Sequence, residues 1–163
     1  MKTTRNVLLA ICAALCALAA APRTTTTGFN FSDWNVQTGE FTYNYQSGAF
    51  STPTHITLTR PGSEIRADRA NGNTKSKQAL LSGNVWLRDQ NGVLTNFSSG
   101  TMSGHQPAIL TCDSLQIDGT GKIYTAVGHV HFVQGASSVT ADRAVMNGLT
   151  HDLHLFGNVT MHT

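Results

Sequence analysis

Helical periodicity, cysteines and charge are all scarce in this chain, and each shortage removes a class of function. No window places apolar residues at the 3.6-residue spacing of an amphipathic helix, so the fold must be sought among strands. Of the three cysteines, Cys12 and Cys16 sit in an N-terminal apolar run. That leaves Cys112, which cannot close an intrachain disulfide alone. Charged residues make up only 12% of the chain, and once Lys2 and Arg5 are set aside Lys+Arg and Asp+Glu balance at nine each. There is no basic patch for nucleic acid and no acidic tail. A nucleophile elbow, a phosphate-binding loop and a zinc-protease helix are missing too, so the sequence predicts neither an enzyme nor a cofactor.

What is present begins with an export signal. Lys2 and Arg5 precede an unbroken apolar run from Val7 to Ala21, and Ala17-Leu18-Ala19 has the small-x-small form of a cleavage site. Residues 1–21 therefore read as a signal peptide. The run is shorter than the about twenty residues a membrane span needs, which leaves an uncleaved anchor as the alternative. Cys12 and Cys16 follow Ile11 and Leu15 rather than small residues, so neither reads as a lipid-attachment site. Polar Arg23 to Gly28, with four consecutive threonines, suggests a flexible lead-in over 22–33 before one domain at 34–163.

The dominant feature is a pattern written three times. Ala67-Asp68-Arg69-Ala70 is followed by Gly83-Asn84-Val85, Cys112-Asp113-Ser114-Leu115 by Gly128-His129-Val130, and Ala141-Asp142-Arg143-Ala144 by Gly157-Asn158-Val159. Each Asp stands fifteen residues before its Gly. A degraded first copy spans Val36 to Leu58, with Gly39 at the Asp position and Thr54-His55 in place of Gly-Asn. The copies start 29, 45 and 29 residues apart, so the middle gap holds one period and a 16-residue insertion near 89–107. A fixed period of this size marks stacked units, each burying its apolar face only on the next.

Around each Gly the apolar residues alternate: Ala79, Leu81, Val85, Leu87; Tyr124, Ala126, Val130, Phe132; Leu153, Leu155, Val159, Met161; and, in the first copy, Phe50, Ile56 and Leu58. Strict alternation predicts strands with one buried face. In the upstream strand of each copy the apolar phase shifts by one at the recurring Asp, which predicts a bulge or corner there, with Asp capping the bend. The expected strand pairs are 64–70 with 77–88, 109–117 with 122–133, and 137–146 with 151–161. The last strand has neither Lys nor Pro to blunt its edge, which predicts end-to-end association.

These motifs, chiefly Ile65-Arg66-Ala67-Asp68-Arg69-Ala70 with Leu80-Leu81-Ser82-Gly83-Asn84-Val85-Trp86-Leu87, resemble the repeating unit of the OstA-like family of periplasmic lipopolysaccharide transport proteins, the LptA/LptC superfamily. The resemblance covers about residues 36–163. It implies an all-β, half-open jelly roll of repeated antiparallel strands, a V-shaped trough bridging inner and outer membranes. Its implied ligand is lipopolysaccharide or a related lipid, and its implied partners are LptC-like and LptD-like jelly rolls or further copies head to tail. The apolar residues expected to line the trough are Ile56, Leu58, Leu81, Val85, Leu87, Tyr124, Val130, Phe132, Leu155, Val159 and Met161. Two other readings stay open: an LptC-like protein anchored in the inner membrane, and a structural solenoid with a packed interior and no ligand.

Repetition in register makes Asp68, Asp113 and Asp142 structural rather than catalytic. His129 and His131, with His151 and His154 in the next copy, could chelate a metal in principle, but four ligands do not assemble and solvated histidines are expected. The sequons at Asn30, Asn96 and Asn158 read as chance.

Overall fold

The computed structural model describes residues 27–90 and 106–163. The expected signal peptide, Cys12 and Cys16, the start of the lead-in and residues 91–105 of the insertion lie outside the described residues. The rest is a single antiparallel sheet of β1 (Thr27–Phe31), β2 (Trp34–Thr38), β3 (Thr42–Tyr43), β4 (Ala49–Thr52), β5 (Ile56–Arg60), β6 (Ser63–Ala67), β7 (Arg69–Asn73), β8 (Gln78–Asp89), β9 (Ala108–Asp118), β10 (Ile123–Gln134), β11 (Ser137–Asn147), β12 (Asp152–Phe156) and β13 (Thr160–His162). No helix occurs among the described residues.

Each repeat is one long hairpin, bent across its middle so that its two halves lie in different leaves. The first leaf runs β1-β2-β5-β6, then through residues 85–89 of β8, 108–112 of β9, 130–134 of β10 and 137–141 of β11 to β13. The second runs β3-β4-β7, then through the other halves of β8 to β11, to β12. The sheet does not close: β1 and β3 stand at one end, β13 and β12 at the other. This is the unclosed all-β sheet the resemblance implies, and the strand pairs expected from the repeats fall on β6–β7 with β8, β9 with β10, and β11 with β12–β13.

One boundary differs. Residues 27–31 belong to the sheet, with Ser32-Asp33 as the turn, because β1 pairs with β2 in a register that sets Phe29 against Val36 and Phe31 against Trp34. Phe31 is buried, and its contribution to the core outweighs the polar composition of the preceding threonines.

The corner is built by the recurring motif. Gly83, Gly128 and Gly157 have φ of 79°, 79° and 69°, and the next residues, Asn84, His129 and Asn158, have φ of 45°, 46° and 45°. Two successive left-handed residues skip the ladder, so pairing jumps from Ser82 to Val85 and from Val127 to Val130. The Asp lies beneath. Asn84 Nδ2 donates to Asp68 Oδ2 at 2.7 Å, His129 Nδ1 to Asp113 Oδ2 at 2.8 Å and Asn158 Nδ2 to Asp142 Oδ2 at 2.9 Å. The Asp therefore bonds a side chain across the corner, not the backbone N–H groups expected from a capping role. A Cβ on any of the three glycines would run into that carboxylate, so Gly is required twice over, by φ and by space. Gly83→Ala should cost about 1–3 kcal/mol from backbone strain alone. Combining it with Asp68→Ala should cost less than the sum of the two changes, because the clash is then removed; urea denaturation of the four proteins measures the coupling.

In the first copy threonines replace the motif. Thr38 and Thr52 hydroxyls meet at 2.6 Å, both buried, and Thr54 Oγ1 accepts from Glu40 N at 3.1 Å. Here the chain passes between the leaves with β2/β3 and β4/β5 as separate elements.

The hairpin turns of the second leaf repeat as strictly. Asn44, Asn73, Asp118 and Asn147, spaced by 29, 45 and 29 residues, each accept on Oδ1 from the backbone N–H groups two and three residues on. These are Asx turns, and they stack. Thr74 N donates to Gly48 O, Gly119 N to Lys77 O and Gly148 N to Lys122 O, at 2.8–2.9 Å. On the first leaf the corresponding turns are Pro61-Gly62 and Gly135-Ala136, whereas residues 90–107 join β8 to β9. Asp89 pairs directly with Ala108, so β8 and β9 lie side by side up to that rim.

Candidate functional site

The space between the leaves is filled by three cross-strand rows. On the first leaf, Phe29, Val36, Leu58, Ile65, Leu87, Leu110, Phe132, Val139 and Met161 are successive register partners from one edge to the other. On the second, Thr52, Ala70, Leu81, Leu115, Ala126, Ala144 and Leu155 form one row. Tyr43, Phe50, Gly72, Ala79, Ile117, Tyr124, Met146 and Leu153 form the other. Register pairing of apolar side chains is what stabilises a sheet face, and here it also makes an apolar strip without a charged residue in any row.

Of the expected lining residues, Ile56, Leu58, Leu81, Val85, Leu87, Tyr124, Val130 and Phe132 all lie buried in this core. Leu155 is half-buried against it. Val159 and Met161 are half-exposed, at 50% and 54%, because no further strand covers β13. Among the described residues the interior is thus buried along most of its length and exposed toward the C-terminal edge. The expected lining residues are brought together on the inner faces of the two leaves.

The N-terminal end is closed by rings. Phe29 stacks on Phe41 with centroids 4.2 Å apart, and Phe50 lies edge-on to Phe29 and Phe31 at 5.5 and 5.6 Å. Gly72 makes room for the Phe50 ring, where a Cβ would approach within 2.8 Å. The alternation of Phe29 and Phe31 signals this plug in the sequence, although the polar run before it suggests a lead-in.

The mouth of the V, opposite the corners, is bridged by Tyr124, which the alternation predicts, together with Arg60, Asp33 and Lys122, which it does not. Arg60, at the end of β5 in the first leaf, donates from Nη1 to Asp33 Oδ2 at 2.9 Å and to the Tyr124 hydroxyl of the second leaf at 3.3 Å. Its guanidinium lies 4.3 Å from the Trp34 ring centroid. Asp33 also stands 3.9 Å from Lys122 Nζ in the second leaf. Burial raises the Tyr124 hydroxyl pKa, opposed by nearby Arg60.

Cys112 faces the same interior. Its Sγ donates to Ser114 O at 3.2 Å, and burial pushes its thiol up from 9.0 to about 12. The unfolded chain ionises this thiol near 9 and the folded chain only near 12. Stability carried by the neutral thiol is therefore complete below about pH 9 and is lost as pH rises from there toward 12. Tyr124 works in the same direction. Urea midpoints should fall between pH 8 and pH 10.5, and a thiol reagent at pH 8 should label Cys112 only on unfolding.

His131, His151 and His154 are exposed, and His129 is taken up by its corner. Among the described residues no group of three or more His, Cys, Asp or Glu could hold a metal ion. Nor is any helix there long and apolar enough to cross a membrane.

Residues 25–88 match the family model described as lipopolysaccharide-assembly, LptC-related. No curated protein sequence matches the chain. Among solved structures, LptH of Pseudomonas aeruginosa, described as the LptA-homologous periplasmic component of the conserved lipopolysaccharide transport device, superposes with a TM-score of 0.65. Identity is 8%, over 81% of this chain and 98% of that one. The match over 25–88 begins ahead of the first copy and takes in β1, in keeping with that strand's place in the domain.

Proposed function

We propose that this chain, an LptA/LptC-type protein, is an exported carrier module of a lipopolysaccharide transport bridge, holding acyl chains between its two leaves. The observation that carries the reading is the set of apolar rows running from one unpaired sheet edge to the other. Each methylene taken out of water there contributes about 0.8 kcal/mol, and rows without charge let a chain slide without strong point contacts. Unpaired edges at β1/β3 and β12/β13 offer templates for adding a second jelly roll, either another copy or an LptC-like or LptD-like partner.

Photocrosslinkers placed at Leu87, Phe132 and Leu155 in cells making lipopolysaccharide should capture it, with Asn84 and His131 as outward controls. Equal capture from both faces, or none from either, would contradict the carrier reading. The sealed interior favours a second reading, a ligand-free scaffold, and that reading expects no capture from the interior positions. Whether the N-terminus is cleaved or kept as an anchor is read by N-terminal sequencing of the soluble and membrane fractions. A start after Ala21 in the soluble fraction is the expected result.

A further inference from the structure

A sealed interior and a lipid cargo are compatible only if the leaves part somewhere. Along the corners they cannot, because β8, β9, β10 and β11 run unbroken from one leaf into the other. At the mouth they meet through side chains. There the β1–β2 turn, Ser32-Asp33, reaches the second-leaf turn at Gly119, and Ser32 Cβ lies 3.0 Å from where a Cβ on Gly119 would stand. Arg60 and Tyr124, sixty-four residues apart, complete the contact.

This seam is poorly satisfied for something so well buried. The Arg60 side chain is 8% exposed, yet its Nη2 has no hydrogen-bond partner among the described residues, while Trp34 Nε1 is directed toward the Tyr124 hydroxyl. Closure leaves the Arg60 Nη2 donor unpaired, and opening would return it to water, which narrows the advantage of the closed state. The ionic part is weak as well: Asp33 is 43% exposed, and pairs of that kind are screened by solvent. Asp33 is nevertheless the carboxylate shared by Arg60 and Lys122. A cleft beside them, lined by Thr59, Arg60, Ser63, Glu64, Arg88 and Gln90, adds a second guanidinium.

We propose that this seam is a lateral entry site for anionic amphiphiles: the tail passes between Trp34 and Tyr124, and the acidic head group takes the place of Asp33 on Arg60 and Lys122. The inference rests on the carrier reading above and adds the route and the head-group class. The full chain with Cys12→Ala and Cys16→Ala provides the background for Ser32→Cys/Gly119→Cys, whose Cβ atoms need only a small adjustment to reach the roughly 3.8 Å of a disulfide. Loading of dodecyl phosphate, with dodecyl maltoside as the uncharged comparison, is followed by native mass spectrometry.

Reduced double variant and wild type should load alike, and oxidation should slow loading at least ten-fold, reversibly. Asp33→Asn, a mild change at a half-exposed position, should load several-fold faster without any disulfide. Lys122→Ala should shrink the preference for dodecyl phosphate over dodecyl maltoside. Inorganic phosphate at equal concentration should leave loading unchanged; competition by it would mark a free-anion site and overturn the assignment. Equal loading by oxidised and reduced protein would place entry elsewhere and leave the carrier reading standing. A folded double variant that cannot form the disulfide would also overturn the seam, since its two sides would not meet. If wild type takes up neither amphiphile, the carrier reading fails and this inference with it.

Discussion

Leu115→Asp should leave no folded protein. Leu115 is completely buried, and its register partners Leu81 and Ala126 are as well sealed. A carboxylate there would have neither water nor a cation, at a cost of several kcal/mol, against a total stability of about 5–15 kcal/mol for a domain. Leu115→Ala gives the graded version, about 2–5 kcal/mol depending on how far the leaves close over the cavity. His131→Asp, on the outer face of the same sheet, should be nearly silent. Thermal melts by circular dichroism separate the three. A folded Leu115→Asp protein with an unchanged melting temperature would mean that the leaves do not pack on each other.

The second large effect is on association. Val159→Asp with Met161→Asp should abolish end-to-end assembly while barely moving the melting temperature, because both side chains are already half in water. The same chemical change that destroys the fold at Leu115 is thus harmless to it at Met161, and the difference is only what packs above. Sedimentation velocity over a concentration series should show wild type growing into oligomers, and the variant should stay monomeric. A wild-type monomer at every concentration, with no pairing to a jelly-roll partner, would defeat the edge argument. Proline is unsuited to blocking this edge at Asn158, whose φ of 45° the ring cannot adopt and whose amide holds Asp142.

Much of this architecture was legible because the repeat states it several times. Asp68, Asp113 and Asp142 announce the corners, and alternation about Gly83, Gly128 and Gly157 assigns every strand a face. Alternation says which side a residue is on, though not whether anything lies opposite. Leu81 and Met161 read alike in sequence, yet one meets another leaf and the other meets solvent. The mouth was illegible for a different reason. Arg60 and Trp34 flank the first copy whereas Tyr124 belongs to the third, so their meeting leaves no local periodicity. The Asx turns could have been found, since Asn44, Asn73, Asp118 and Asn147 keep the period of the corners; they were masked by the ordinary frequency of Asn and Gly in any turn.

The strict stacking of those turns makes the long dimension of this protein divisible. One 29-residue copy contributes two strands to each leaf, and strands sit about 4.8 Å apart, so each copy adds about 10 Å of length. The 45-residue spacing adds no more than the others to the described sheet, because β8 and β9 are direct neighbours, Asp89 opposite Ala108. Length and cross-section are therefore independent: a further copy spliced in at an Asx turn would lengthen the two packed leaves by one fixed step and leave the way they face each other as it was.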